Sequence, residues 1–335
     1  MLRYALRRIV LLIPVLVGLS MLVFAIARLL PGDPARLAAG PNATPAEIAE
    51  VVRTFGLDKP LPTQYWNYAT GLLLGDWGRS IYTRRPVLQD LEVYLPATLE
   101  LVTAAMVLAV VFGVPAGVLA AVYRNRWPDV LSRTVSIGAI SMPRFFLALL
   151  LQLAFAMWLG WLPLGGRFPL TEDPPRFVTG FLTIDGLLAG DLHATGLALQ
   201  YLALPAFAMC LSPLATITRM MRASTIDALR QDYVLTERAQ GLRPHVILFK
   251  YVLRNAISAT LTVIGLYIGW LLGGTVLVET MFDWPGIGLY ATSSILVQDF
   301  MPVIGVTLVI CVVFVISNLA VDLLYGVFNP RVRMA

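Results

Sequence analysis

The run TLELVTAAMVLAVVFGVPAGVLAAV, from Thr98 to Val122, decides the fold class of this chain. It holds 25 residues, of which only Glu100 is charged. About 20 consecutive apolar residues allow an α-helix to cross the hydrocarbon core of a bilayer. Five further runs are similarly long and largely apolar: Ile9 to Leu30, Val135 to Trp158, Leu197 to Ile217, Ala256 to Val278 and Pro302 to Leu324. The sequence therefore predicts an all-α integral membrane protein with six transmembrane helices.

The composition agrees with a membrane location. Of the 335 residues, 58% are hydrophobic and 13% are Asp, Glu, Lys or Arg, whereas soluble domains average about 25% charged residues. So few charges cannot cover a water-exposed surface around this much apolar volume. Most of the apolar surface must therefore face lipid or other helices.

The orientation follows from the Lys and Arg residues in the short connections, because positive residues are retained on the cytoplasmic side. On one face, the connection between the third and fourth runs carries only Arg167 and Arg176, and the connection between the fifth and sixth runs carries none. We therefore expect both termini in the cytoplasm, and we attribute the net charge of +5 to topology rather than to a nucleic-acid partner. The other face carries fourteen basic residues: Arg3, Arg7, Arg8, Arg124, Arg126, Arg133, Arg222, Arg230, Arg238, Arg243, Lys250, Arg254, Arg331 and Arg333.

The first run admits a second interpretation. Arg3, Arg7 and Arg8 before an apolar stretch, with Ala25-Ile26-Ala27 near its end, are also typical of a cleaved signal peptide. Signal peptides have apolar cores of about 7 to 15 residues, and this run is longer. We therefore favour an uncleaved membrane anchor.

The segment from Pro31 to Leu95 is predicted to form short helices on the extracytoplasmic side. Thr44 and Glu47 have the spacing of a capping box, in which each side chain binds an exposed backbone N–H of the first helical turn. A second helix is predicted from Thr63 to Leu74. Its aromatic rings have the clustering expected at a membrane interface: Tyr65, Trp66 and Tyr68.

Glycines in the fifth run predict a close helix contact. Gly265, Gly269 and Gly273 recur at every fourth position and share one face of a helix. Helices in lipid associate through close backbone approach at such positions. We therefore expect a neighbouring helix against this face.

Arg144 is the charged residue deepest within an apolar run, directly after Ser141-Met142-Pro143. Because a charge at the centre of a membrane helix costs roughly 2.5–3.5 kcal/mol, we expect Arg144 to face a water-filled lumen, with snorkelling toward one interface as the alternative. Gln152 lies two helical turns further on. Ser141, Arg144 and Gln152 are therefore the candidates for lining a pore.

The sequence offers no convincing site for catalysis. Lys59 and Lys250 are the two lysines, and neither precedes Ser or Thr, as the phosphate-binding lysine of an ATPase does. We therefore predict a chain that is not an enzyme and that holds no metal or cofactor. The two cysteines, Cys210 and Cys311, lie in apolar runs, and the two histidines, His193 and His245, are isolated.

The connection between the fourth and fifth runs, at about residues 222–255, is predicted to form two short helices with a turn at Gly241-Leu242-Arg243-Pro244. Gly241 is expected to end the first helix in the left-handed conformation. A charged segment of this kind can be a solvated loop. A helical pair that projects from a membrane is also suited to docking a soluble partner.

Asp232-Tyr233-Val234-Leu235-Thr236-Glu237-Arg238-Ala239-Gln240-Gly241-Leu242 resembles the EAA-type loop of ABC importer permeases. The rest of the chain is similar to the dipeptide/oligopeptide permease family, specifically the first of its two membrane subunits. The general motif has Glu-Ala-Ala where this chain has Leu235-Thr236-Glu237. Further motifs carry the resemblance: Pro31-Gly32-Asp33-Pro34, Gly75-Asp76-Trp77-Gly78-Arg79-Ser80, Leu95-Pro96-Ala97-Thr98, Pro285-Gly286-Ile287-Gly288 and Asn329-Pro330-Arg331.

This resemblance implies a type I ABC importer permease fold in a bacterial or archaeal plasma membrane. Its partners would be a second homologous permease, two ATPase subunits that bind ATP and Mg, an extracytoplasmic substrate-binding protein and membrane lipid. Contact with the ATPase would fall on Asp232, Glu237, Arg238, Ala239 and Gly241. The implied domains are the first helix with the extracytoplasmic segment (1–95), the transmembrane domain (96–328) and a cytoplasmic tail (329–335).

The expected mechanism is alternating access, in which ATP binding and hydrolysis in the partner subunits shift one two-state equilibrium of the pore. The expected substrate is a di- or oligopeptide. A nickel complex, heme or glutathione is the alternative within the group. A secondary transporter would need no docking loop, and an intramembrane enzyme would need reactive groups that this sequence lacks.

Overall fold

The computed structural model describes residues 10, 13–22, 24–25, 43–54, 58–80, 82–297 and 299–328, and these are mostly helical. The predicted tail, residues 329–335, lies outside the described residues, as does part of the first apolar run. The helices are α1 (Ile13–Leu22), α2 (Pro45–Thr54), α3 (Leu61–Leu74), α4 (Val87–Val122), α5 (Trp127–Ser141), α6 (Arg144–Trp158), α7 (Leu182–Leu188), α8 (Leu192–Leu229), α9 (Asp232–Ala239), α10 (Pro244–Met281), α11 (Ile287–Leu296) and α12 (Phe300–Phe328).

In the described part of the chain, four helices are long and apolar enough to cross a membrane: α4, α8, α10 and the stretch Met301–Ala320 of α12. The count becomes five if α5 and α6, which are bent by 104° at their junction, form one span. Within the first predicted run, the structure describes α1 and residues 10, 24 and 25. The described residues therefore confirm the all-α fold class, with four or five candidate spans.

The third predicted span is broken, whereas the second and fourth continue through their prolines. Pro115 lies inside α4, and Pro205 and Pro213 lie inside α8. At the junction of α5 and α6, Met142 is extended, with φ −90° and ψ 128°, and Pro143 precedes the first residue of α6. Because proline disfavours helical geometry in the residue before it, the helix stops at Ser141 and restarts in a new direction.

The centre of the fold is the contact between α4 and α8. A Cβ added at Gly117 would lie 2.6 Å from the carbonyl oxygen of Thr218 and 2.7 Å from Cβ of Met221, and one at Gly113 would lie 3.1 Å from Cγ2 of Ile217. The two glycines therefore allow the backbones to approach closely, as expected for helices that associate in lipid.

The predicted capping box at the start of α2 is confirmed. The Thr44 N–H donates to the Glu47 carboxylate over 2.7 Å, and the Glu47 N–H donates to Oγ1 of Thr44 over 3.4 Å. The Thr44 hydroxyl also donates to the Glu47 carboxylate, over 2.9 Å, and the two hydrogen bonds that this carboxylate accepts, from the Thr44 N–H and from the hydroxyl, lower the pKa of Glu47.

The aromatic rings of α3 divide between two environments. Trp66 is 69% exposed. Tyr65 and Tyr68 instead pack against the ring of Phe24, with centroids 5.5 Å apart in both pairs, and the Tyr65 hydroxyl lies 2.9 Å from Oγ of Ser20. Two of the three rings thus attach α3 to the first apolar run, and only Trp66 has the exposure expected of an interfacial ring.

Candidate functional site: the α8–α10 connection and the bend in the third span

The connection between α8 and α10 is shorter than the sequence predicted. α8 continues to Leu229, so Arg222 lies within a helix, and α10 begins at Pro244. The second of the two predicted short helices, after the turn at Gly241-Leu242-Arg243-Pro244, instead forms the first turns of α10. Gly241 has φ +77°, and its predicted left-handed conformation is confirmed.

α9 is attached to the ends of three long helices through one buried side chain. Val234 is 1% exposed and belongs to an apolar cluster of Val118 of α4, Met221 and Ala228 of α8, and Ile247, Val252 and Ala256 of α10. A displacement of α9 must therefore move these helix ends or break the cluster.

The outer face of α9 carries the side chains predicted to contact an ATPase. Asp232 and Arg238 are exposed, in the first and last turns respectively, where their charges complement the helix dipole. Ala239 and Gly241 are also exposed, and Glu237 is partly buried. Leu235 is 63% exposed. The structure thus brings these residues together on one short element, with an exposed apolar side chain among them.

A buried ion pair connects α8 to the first turn of α5. The Asp129 side chain is fully buried and accepts hydrogen bonds from Nε of Arg222 over 2.6 Å and Nη2 over 2.9 Å. The Asn125 N–H also donates to Asp129 over 2.9 Å, and Nε of Arg133 lies 3.5 Å from the carboxylate. Sequence reasoning counted Arg222 only as a topological charge. The signal for the pair was an acidic residue in an otherwise basic connection.

The pore-lining candidates lie around the bend between α5 and α6. Ser141 is exposed, and its hydroxyl donates to the Ile137 carbonyl oxygen in its own helix over 2.9 Å. The Arg144 guanidinium packs against Gly274 of α10, where an added Cβ would lie 2.5 Å from Nη1. Arg144 and Gln152 both contact α10, so the structure places them on one face of α6.

Gln152 is 8% exposed, and its amide nitrogen donates to the carbonyl oxygens of Leu164 and Met281, each over 2.8 Å. These bonds attach the segment after α6 to the end of α10. The amide nitrogen therefore has a structural role. The assignment of Gln152 to a pore surface stays a prediction.

The glycines predicted to line a face of α10 have different surroundings. Gly265 is buried, and Gly269 lies directly beneath the Phe314 ring of α12. Gly273 is exposed, with open space where a Cβ would be. The close contact within this chain therefore occurs at Gly269, and the neighbour predicted at Gly273 is not part of the described chain.

A second buried carboxylate organises the end of α10. Glu279 is fully buried, accepts a hydrogen bond from Oγ1 of Thr98 over 2.7 Å, and accepts another from the Leu289 N–H over 2.9 Å. Added Cβ atoms at Gly286 and Gly288 would lie 2.5 and 2.8 Å from this carboxylate. The motif Pro285-Gly286-Ile287-Gly288 therefore needs glycines because the carboxylate occupies the space of their side chains.

The same end of the molecule is closed by the segment between α3 and α4. Ser80 donates to the buried carboxylate of Asp299 over 2.6 Å, and the Tyr82 N–H donates to it over 3.1 Å. Asp90 accepts from the Tyr290 hydroxyl over 2.8 Å. Residues of the Gly75-Asp76-Trp77-Gly78-Arg79-Ser80 motif thus fold over α11 and the start of α12.

The loop between α6 and α7 is fixed by Glu100, the one charged residue of the run from Thr98 to Val122. Its carboxylate pairs with Arg167 over 2.5 Å and accepts from the N–H and hydroxyl of Thr183 over 2.9 and 2.7 Å. Glu100 is therefore paired with an opposite charge rather than extended toward an interface.

Comparison with known sequences identifies the class of protein to which this geometry belongs. Residues 113–334 match the family described as "Binding-protein-dependent transport system inner membrane component", and residues 1–102 match the family of its N-terminal region. The chain belongs to this family, and the resemblance inferred from its motifs is confirmed. It is a membrane permease component of a binding-protein-dependent transport system.

Individual relatives are similar over almost the whole chain. A dipeptide transport system permease protein from Alkalihalophilus pseudofirmus is 42% identical over 99% of this chain and 100% of its own length. A probable D,D-dipeptide transport system permease protein from Escherichia coli strain K12 is 44% identical over 96% and 94%. A glutathione transport system permease protein from the same strain is 39% identical over 99% of each chain.

Proposed function

We propose that this chain forms half of the translocation pore of an ABC importer for di- or tripeptides, with α9 as the helix that couples the pore to separate ATPase subunits. The observation that carries the proposal is the attachment of α9 through Val234 to the ends of α4, α8 and α10. An ATPase that pulls on the exposed face of α9 moves three spanning helices together. The coupling helix needs no catalytic residue for this, because it transmits only a displacement.

The proposed topology has six spans with both termini in the cytoplasm. The first apolar run supplies one span, the bent pair α5–α6 supplies another, and α4, α8, α10 and α12 supply the rest. The basic turn at Arg124 to Arg126 then lies on the same side as α9. This arrangement is supported by the Asp129–Arg222 ion pair, which joins the first turn of α5, directly after the basic turn, to the helix leading into α9.

The proposed partners follow from the family and from the exposed side chains of α9. A second homologous permease completes the pore, two ATPases bind and hydrolyse ATP with Mg, and an extracytoplasmic binding protein delivers the substrate. The chain itself then has no ATPase site and no cofactor. Leu235, exposed beside Asp232 and Arg238, supplies the apolar centre of a contact that is otherwise charged.

The proposed substrate is a short peptide, because relatives named for dipeptides and for di- and tripeptides cover nearly the entire chain. Glutathione is the second candidate, supported by the 39% identical permease. Uptake of a labelled dipeptide into proteoliposomes that contain the complete complex separates the two. We expect excess unlabelled dipeptide to abolish this uptake, and excess glutathione to leave it unchanged.

The coupling role is tested by Gly241→Val. Because Gly241 has φ +77°, a β-branched residue there is strained, by roughly 1–2 kcal/mol for the left-handed conformation alone. We expect the variant to assemble with its partners and to lose the stimulation of ATP hydrolysis by loaded binding protein.

Gly190→Val is the matched control. Gly190 also has a left-handed backbone, with φ +72°, and also has open space where a Cβ would be, but it lies between α7 and α8. We expect stimulated ATP hydrolysis close to that of the unmodified complex. Normal stimulation in Gly241→Val, or equal loss in both variants, would contradict the assignment of α9 as the coupling helix.

A further inference from the structure

Arg144 is the charged side chain at the bend of the third span that has no partner within the described chain. Among the described residues, it makes no hydrogen bond, ion pair or ring contact. It is only partly buried. A guanidinium has five N–H donors and is always charged, so at membrane depth these donors must be satisfied by water, by a ligand or by groups outside the described residues.

The fold makes room for this guanidinium. Gly274 of α10 lies directly against it, and any Cβ at that position would lie 2.5 Å from Nη1. Gly274 precedes Met281, the last residue of α10, by seven positions, or about 10 Å of helix. The guanidinium is therefore held against α10 about two turns inside the membrane helix, close to the end where the substrate would enter.

Two buried carboxylates at this end of the fold, Glu279 and Glu100, are already engaged. Glu279, further along α10, accepts from Thr98 and Leu289. Glu100 is paired with Arg167. The positive charge of Arg144 is thus left available for an anion from outside the described chain.

The backbone at the bend also favours the binding of an anion. Among the described residues, no side chain caps the first turn of α6 after Pro143, and the first N–H groups of a helix have no partner in the helix itself. These groups and the guanidinium both favour negative charge. The chemistry that fits them is a carboxylate, which can accept two parallel hydrogen bonds from one arginine.

We propose that Arg144 binds the free carboxylate of the substrate during translocation. This inference rests on the proposed function and names the part of the peptide that the site recognises. A peptide entering the pore loses water from its terminal carboxylate, which is costly unless a charged partner replaces that water. Dipeptides and glutathione both carry such a group, so one arginine serves either substrate.

The test compares L-alanyl-L-alanine with its C-terminal amide. Proteoliposomes contain the complete complex, and the binding protein is saturated with one probe at a time. Initial uptake and ATP hydrolysis are measured for the unmodified chain, Arg144→Gln and Arg144→Lys. Arg219→Gln is the control, since Arg219 is an exposed arginine of α8 that also has no bond within the described residues.

We expect Arg144→Gln to lower the uptake of the free dipeptide at least about tenfold, because charge-assisted hydrogen bonds are about twice as strong as neutral ones. The uptake of the amide should change less than about twofold, and ATP hydrolysis should still respond to loaded binding protein. Uptake of the free dipeptide by Arg144→Lys should lie between that of the unmodified complex and that of Arg144→Gln, because lysine keeps the charge but cannot donate two parallel hydrogen bonds. Arg219→Gln should leave the uptake of both probes unchanged.

Equal loss of both probes in Arg144→Gln would overturn the carboxylate assignment and give Arg144 a purely structural role. Unchanged uptake of both probes would overturn it as well. If Arg144→Gln fails to assemble, the test rests on Arg144→Lys. A loss of uptake confined to the free dipeptide would then support the carboxylate assignment, and an equal loss for both probes would overturn it. Failure of the unmodified complex to transport either probe would instead overturn the peptide assignment of the proposed function, and this inference with it.

Discussion

The carboxylate of Glu279, near the end of α10, accepts a hydrogen bond from Oγ1 of Thr98 in α4 over 2.7 Å, across 181 residues of sequence. The same hydroxyl oxygen accepts a hydrogen bond from the Ile287 N–H over 2.9 Å. Thr98 is thus donor to one element and acceptor for another. α4, α10 and α11 are therefore fixed to one another at this end and should move as one body.

Thr98→Val removes both bonds at nearly constant volume. It leaves a buried carboxylate oxygen and a buried N–H without this partner, so we expect a loss of about 1–3 kcal/mol in the free energy of unfolding. Thermal unfolding of the purified complex in detergent measures the loss. Thr280→Val is the control, because Thr280 is exposed and bonds only to the Val276 carbonyl of its own helix. Equal shifts of the two variants would contradict the bridging role of Thr98.

Asp129→Asn breaks the buried pair with Arg222 while keeping the shape of the side chain. Removing one partner of a buried ion pair costs roughly 3–5 kcal/mol, and we expect the lower end because Arg222 remains 21% exposed. We also expect weaker stimulation of ATP hydrolysis, because α8 leads directly into α9. Asp227→Asn, at an exposed acidic residue of α8, should change stability by less than about 0.5 kcal/mol. A loss of similar size in the control would refute this prediction.

Gly269→Ala and Gly273→Ala separate the two ends of the glycine face on α10. A methyl group at Gly269 collides with the Phe314 ring, and we expect a loss of about 1–3 kcal/mol from overpacking. At Gly273 the space is open, so the isolated chain should keep its stability. Unfolding of the chain alone and of the assembled complex measures both effects. A loss at Gly273 that appears only in the complex would place the second permease against this face.

Acidic pH should loosen the loop before α7. Burial alone would raise the pKa of Asp185, but hydrogen bonds from the Thr179 side chain and from the N–H groups of Thr179, Val178 and Gly180 lower it below the ordinary value. A lowered folded pKa means that this stabilisation is present above the unfolded pKa of about 3.9 and is lost as the pH falls through the folded pKa.

Hydrogen exchange of the Val178 to Gly180 amides measures this effect. After correction for the intrinsic rate, we expect protection to be constant at neutral pH and to fall below about pH 4. In Asp185→Asn, protection should be lower at neutral pH and should no longer depend on pH in that range. An unchanged pH dependence in the variant would show that another group is responsible.

Local features were predictable from the sequence because they depend on neighbouring residues. Thr44 and Glu47, three positions apart, form the predicted capping box, and Gly241 adopts the predicted left-handed conformation. The second, fourth, fifth and sixth apolar runs correspond to long helices, since hydropathy is read over consecutive residues. Helix ends were less predictable: α8 begins five residues before its predicted start and extends past Arg222.

The motifs around the candidate site were visible in the sequence, but their physical reasons were not. Gly286 and Gly288 could be quoted as part of a family pattern. Only the structure shows that the Glu279 carboxylate fills the space beside them. The same holds for Gln152, whose amide reaches the Met281 carbonyl 129 positions away.

The sequence by itself determined the class of this protein, because the lengths of its apolar runs, the asymmetry of its basic residues and its motifs are properties of the linear chain. The tertiary structure decided which charges are neutralised: Glu100 by Arg167, Asp129 by Arg222, and Arg144 by no group in the described residues. The physical reason is that ion pairs and close glycine contacts join residues far apart in the chain. Their distances arise only when the helices pack.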